Sequence, residues 1–174
     1  MATLGYTTTD GSAGFGVNVN LALFAKYTMP ATGGNSVTLH CYVNNLGAGD
    51  ANVYMALYSD DAANNLPANR LAAAVTIVKA TGGPAEASGT FEVALAANTP
   101  YWIVFVTAAN LEMYYMATGA GDSGYYNIGS TTLPDDFGDS AASDRTWEYV
   151  MWVTYNESGG AVPVKAATIR RRRS

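Results

Sequence analysis

Ser36-Val37-Thr38-Leu39-His40-Cys41-Tyr42-Val43 is the stretch on which the fold turns. Successive side chains of an extended chain point to opposite faces. Val37, Leu39, Cys41 and Val43 therefore share one face of a strand, and Thr38, His40 and Tyr42 share the other. The same period of two recurs on both sides of it. Residues 15–21 alternate and place Val17, Val19 and Leu21 together. Residues 24–29 form a second extended run that stops at Pro30, before the turn Ala31-Thr32-Gly33-Gly34-Asn35.

Further along, residues 53–58, 89–95, 101–106, 112–117 and 147–155 read as strands. Tyr101-Trp102-Ile103-Val104-Phe105-Val106 is apolar on both faces, as a central strand should be. Residues 70–79 open with a Leu-Ala-Ala-Ala run that could pass for a helical turn, but Val75-Thr76-Ile77-Val78 favours β structure. Residues 44–51 read as a loop, and residues 64–69 as a connection built around Pro67. Gly82-Gly83-Pro84 reads as a chain break, and residues 118–145 as one long loop. No segment carries a convincing helical repeat. Eight or nine short strands at this spacing predict an all-β, two-sheet antiparallel sandwich over residues 1–158, and the jelly roll suits that strand count. Residues 159–174 are expected to form an extended basic C-terminal arm.

Composition agrees with one domain of this kind. The 174 residues include twelve tyrosines, three tryptophans and eighteen glycines, while charged residues make up only 13%. Cys41 has no second cysteine to pair with, which fits folding in a reducing compartment. The opening Met1-Ala2-Thr3-Leu4-Gly5-Tyr6 lacks the basic and apolar regions of a signal peptide. No apolar run reaches the roughly 18 residues of a membrane span. Charge is unevenly placed: fourteen acids against Lys26, Arg70, Lys79 and Arg145 leave residues 1–160 at −10. Lys165, Arg170, Arg171, Arg172 and Arg173 give residues 161–174 a charge of +5. An acidic body disfavours nucleic acid as a partner, except through the tail.

Catalytic constellations are scarce. His40 and Cys41 are neighbours on a strand and point apart, so they cannot form a dyad. Glu92, Glu112 and Glu148 could furnish a glycosidase pair, but each lies in an alternating strand where an outward, solvated carboxylate is the ordinary reading. No catalytic residue, cofactor or metal is assigned. The metal alternative is calcium, with Asp135, Asp136 and Asp139 in the long loop, or Asp60 and Asp61, as oxygen ligands.

Aromatic residues crowd the last third of the chain. Tyr125, Tyr126 and Trp147 are the candidates for surface contacts, as stacking platforms for a glycan or as subunit interface. The basic arm, through Lys165 and Arg170 to Arg173, is the candidate for docking on an adjacent copy.

Several stretches form a further set: Leu4-Gly5-Tyr6-Thr7, Ala25-Lys26-Tyr27-Thr28-Met29-Pro30 with Val37-Thr38, and Ala56-Leu57-Tyr58-Ser59-Asp60 with Pro67 and Leu71. Leu95-Ala96-Ala97-Asn98-Thr99-Pro100-Tyr101-Trp102-Ile103 and the run 147–155 complete it. Together they resemble a jelly-roll domain of bacteriophage capsid decoration, cement or appendage proteins, related in pattern to bacterial carbohydrate-binding surface modules. The resemblance implies a non-enzymatic virion protein assembled in the host cytoplasm, an oligomer such as a trimer, bound within a larger capsid. A carbohydrate-binding module and a self-assembling filament or surface-layer subunit are the alternatives. The basic tail has no counterpart in that pattern.

Overall fold

The computed structural model describes residues 1–9, 12–117, 122–138, 143–145 and 147–158. Among these there is no helix, and the strands form two antiparallel sheets. The first sheet has the order β1 (Ala2–Gly5), β14 (Met151–Glu157), β4 (Gly34–Asn45), β10 (Leu111–Met116), β13 (Glu148–Tyr149). To it are added β2 (Ala13–Val17) beside β10 and β8 (Gly82–Phe91) beside β4. The second runs β12 (Ser143–Arg145), β11 (Ser123–Asn127), β3 (Leu21–Thr28), β9 (Pro100–Thr107), β5 (Ala51–Asp61), β6 (Leu66–Arg70), with β7 (Val75–Lys79) beside β5.

The sheets face one another across a shared apolar core, in the manner of a sandwich. Val37, Leu39, Cys41 and Val43 of β4 are fully buried there, as their alternation requires. They meet Leu23 and Ala25 of β3, Met55 and Leu57 of β5, and Ile103 and Phe105 of β9. Strand β9 is buried along nearly its whole length, because the second sheet is covered on its other face as well. There Phe24, Tyr58, Trp102, Val104 and Val106 lie under Leu133 and Phe137. Those two residues come from a segment held by Tyr58 Oη donating to Pro134 O (2.6 Å), Arg70 Nη1 donating to Leu133 O (2.7 Å), and an ion pair between Arg70 and Asp135.

Several boundaries depart from the sequence reading. Residues 15–21 are not one strand: β2 ends at Val17, and the backbone turns through Asn20 at φ 71° before β3 begins. Asparagine tolerates that left-handed conformation, and the turn leaves Val19 exposed while Val17 is buried. Gly82-Gly83-Pro84 does not break the chain but opens β8, and Pro67 lies inside β6. Each proline sits in a strand at the margin of its sheet, the position that best tolerates a missing N–H. Residues 92–95 leave the ladder, with Leu95 returning as an isolated bridge to Gly34. Residues 71–74 separate β6 from β7, so 70–79 is not a single strand.

The presumed loop 118–145 contains β11 and β12. Strand 147–155 is interrupted at Val150, whose N–H donates to Tyr114 O (2.8 Å) while its carbonyl accepts from Tyr42 N (3.0 Å). This residue bridges β10 and β4, so Tyr149, Val150 and Met151 are all buried in succession.

Candidate functional site

The polar side of β4 is the outward face of the first sheet. Antiparallel register sets Trp152 and Ser88 beside His40, and Thr154 and Thr90 beside Thr38. His40 and Trp152 stack with ring centroids 5.0 Å apart and planes 3° from parallel. His40 Nδ1 lies 2.6 Å from Glu86 Oε1, and Nε2 lies 3.0 Å from Thr154 Oγ1. An ionised carboxylate only accepts, so the proton is on Nδ1. Nε2 then accepts from the Thr154 hydroxyl when the ring is neutral and donates to it when the ring is charged. Cross-strand pairs of this kind fix the rotamers of a sheet face.

One step along, Tyr42 packs edge-on against Tyr114 at 5.4 Å. Asn44 Nδ2 donates to Glu112 Oε2 at 3.1 Å. Partial burial, with the Glu112 carboxylate second, raises the Tyr114 phenol above its ordinary pKa. The result is a continuous patch of half-buried aromatic rings, two of them stacked and two edge-to-face, interleaved with carboxylates, an amide and hydroxyls. Stacking a planar or pyranose-shaped group and accepting hydrogen bonds are both within its chemistry.

The sequence-predicted aromatic residues lie elsewhere. Tyr125 and Tyr126 are on β11 and not in a glycine-rich loop, and alternation sends them to opposite faces. Tyr125 packs on Phe15 at 6.1 Å, and Trp147 packs on Phe15 at 5.2 Å and stacks on Tyr115 at 4.1 Å. The structure thus brings Tyr125 and Trp147 together, as a rim closing one end of the first core. Tyr126 joins the second core, with Phe137 at 6.4 Å. The outward aromatic patch was legible in part, since the alternation Thr38, His40, Tyr42 already marked one face. What no local pattern supplies is the pairing of that face with Trp152, Tyr114 and Glu86.

Burial pushes the Cys41 thiol pKa up, and its Sγ lies 3.7 Å from Ala87 O, on the side of the sheet away from His40. Glu92 is exposed, while Glu112 and Glu148 are half-buried. Of the candidate calcium ligands, Asp60 accepts from Trp102 Nε1 at 2.7 Å and lies 3.7 Å from Lys26 Nζ. Asp135 is paired with Arg70. Asp61 is held below the ordinary carboxylate pKa by hydrogen bonds from the Asn64 side chain and from Ala63 N. Asp136 accepts from Gly138 N. Among the described residues no three His, Cys, Asp or Glu side chains are grouped to hold a metal ion. Asp139, and the arm residues Lys165, Arg170, Arg171, Arg172 and Arg173, lie outside the described residues.

The sequence matches no protein-family model and no curated protein. Among the described residues no helix is long and apolar enough to cross a membrane.

Proposed function

We propose that this chain is a non-enzymatic structural subunit with jelly-roll connectivity, a capsid decoration, cement or appendage protein that holds its neighbours through an aromatic sheet face and a basic arm. The observation that carries the reading is the outward patch of Tyr42, Tyr114, His40 and Trp152. Tyrosine and tryptophan are enriched where protein surfaces meet, because a large rigid ring buries much area at little entropic cost. Here the rings are already fixed by Glu86, Thr154 and one another, so little ordering remains to be done on contact. The virion setting rests on the resemblance of the strand and turn segments, and fold-level likeness is support by analogy.

The test is co-sedimentation. Particles from the native source, banded on a density gradient, should carry the chain at a fixed stoichiometry, and the purified chain should be oligomeric. A chain that stays monomeric and bands with no particle or filament refutes the proposal.

The same patch favours a second reading, glycan binding. The apolar face of a pyranose stacks on tyrosine or tryptophan, and Glu86, Glu112 and Asn44 are suited to its hydroxyls. Saturable binding on a glycan array that is lost in Trp152→Ala and Tyr42→Ala, from a chain that remains monomeric, would favour it over assembly.

A further inference from the structure

Among the described residues the lysines and arginines are sorted by sheet. The strands of the first sheet contain Glu86, Glu112, Glu148 and Glu157 and no lysine or arginine. Lys26, Arg70, Lys79 and Arg145 all belong to strands of the second sheet. Three of them have partners in the structure, acidic ones in two cases. Lys26 lies 3.3 Å from Asp122 and 3.7 Å from Asp60, Arg70 pairs with Asp135, and the buried Lys79 ammonium donates to Ala80 O (3.1 Å) and Gly83 O (3.4 Å).

The outward face of the first sheet is therefore a run of carboxylates and aromatic rings whose only basic side chain is His40. Glu86 and Glu112 lie on it by contact with His40 and Asn44, and pairing of Glu148 with Met116 places Glu148 on the same side. Guanidinium groups suit such a surface on two counts. They bind carboxylates bidentately, and they stack on tyrosine and tryptophan faces more readily than ammonium groups do. The chain has nine lysines and arginines, and the five besides these four are Lys165 and Arg170 to Arg173.

From the charge complementarity of these two parts, we infer that the outward face of the first sheet, between Glu86, Trp152, Tyr42, Glu112 and Glu148, is the receptor for the basic segment 165–173 of a neighbouring copy. The inference rests on the assembly reading above and names the contact that would hold the copies together. Reach does not limit it. The last described residue, Ser158, donates its N–H to Gly33 O (3.0 Å) at one end of β4. The twelve residues from there to Arg170 span at most about 40 Å when extended, more than the width of several strands.

The experiment is a charge-reversal cycle on the full chain, read by sedimentation velocity across protein concentration at low and high salt. One variant carries Arg170→Glu, Arg171→Glu, Arg172→Glu and Arg173→Glu. A second carries Glu112→Arg and Glu148→Arg, and a third combines them. Self-association of the unmodified chain should weaken as salt rises. Each reversal should weaken it about tenfold or more, and the combination should recover most of the loss, since double-mutant coupling is the signature of direct contact. Unchanged unfolding midpoints show that the variants fold; the neutral pair Glu112→Gln and Glu148→Gln replaces the second variant if it does not.

Carbodiimide coupling of Lys165 gives an independent reading. A product of dimer mass, joined to Glu86, Glu112 or Glu148, supports the contact. A product of monomer mass, or coupling to acids of the second sheet, overturns it. If the chain associates but neither reversal matters, this inference fails and the assembly reading stands. If the unmodified chain never associates, the assembly reading itself fails.

Discussion

Truncating Phe137 to alanine tests whether the second sheet is covered on its outer face by the segment around residues 133–137. Phe137 is 5% exposed and makes edge-to-face contacts with Phe24 at 5.7 Å and Tyr58 at 5.6 Å, and a looser one with Tyr126 at 6.4 Å. Removing a buried phenyl ring from a core that cannot close around the void costs about 3–5 kcal/mol. This ring is carried by a surface segment that can settle inward, so the lower end, about 3 kcal/mol, is expected. For a chain of this length each kcal/mol moves the melting temperature by about 2–4 °C, giving a fall of about 6–12 °C.

Hydrogen exchange separates local from global loss in the same variant. Arg70 N donates to Asp135 O (2.8 Å) and Phe137 N to Ala68 O (3.0 Å), so these two amides should lose protection first while the β9 amides keep theirs. The reasoning is refuted if Phe137→Ala costs under about 1 kcal/mol and the two amides already exchange freely in the unmodified protein.

Two further predictions concern the contact of β7 with β8 and the titration of buried groups. A Cβ built on Gly89 of β8 would collide with the Val75 side chain of β7, so Gly89→Ala should cost about 1–3 kcal/mol. Val75→Ala in the same chain should return part of that loss, and no rescue would mean that β7 and β8 do not touch there. Burial raises the pKa of Cys41, Tyr27 and Tyr58, so the folded protein keeps protons that the unfolded chain releases. Stability should fall as pH rises past about 8.5, where an unfolded cysteine ionises, and again past about 10 for tyrosine, by up to about 1.4 kcal/mol per pH unit for each group. Urea midpoints from pH 7 to 11 check this; Cys41→Ala should remove the first decline, and a midpoint level to pH 11 contradicts the assignment.

How much of this was written in the sequence depends on whether a strand's partners lie within its own pattern. β4 and β9 were legible because one alternates cleanly and the other is apolar throughout, which is what one-sided and two-sided burial demand. β6 and β8 were missed because Pro67 and Gly82-Gly83-Pro84 speak against a strand locally, while the margin of a sheet tolerates them. β11 was hidden in a glycine-rich stretch, although Ser123-Gly124-Tyr125-Tyr126-Asn127 pairs residue for residue with β3. The surface aromatics expected there follow the strand into the two cores instead.

The outward patch shows the same division. Thr38, His40 and Tyr42 were assigned to one face from their spacing, yet their neighbours Glu86, Tyr114 and Trp152 lie 44 or more residues from the nearest of the three in the sequence and arrive only through strand pairing. Cys41 was placed on one strand face with Val37, Leu39 and Val43, and like them it is fully buried. The split of charge between acidic body and basic tail was plain from composition; that the first sheet holds none of the cations needed the topology.

The most direct test of the central claim is electron cryomicroscopy of particles or filaments from the native source, at a resolution that traces strands. Density for this two-sheet body is expected at repeated positions, with the Tyr42, Tyr114 and Trp152 face of its first sheet turned onto a neighbouring subunit. Particles in which that face is open to solvent, or from which the chain is missing, would contradict it.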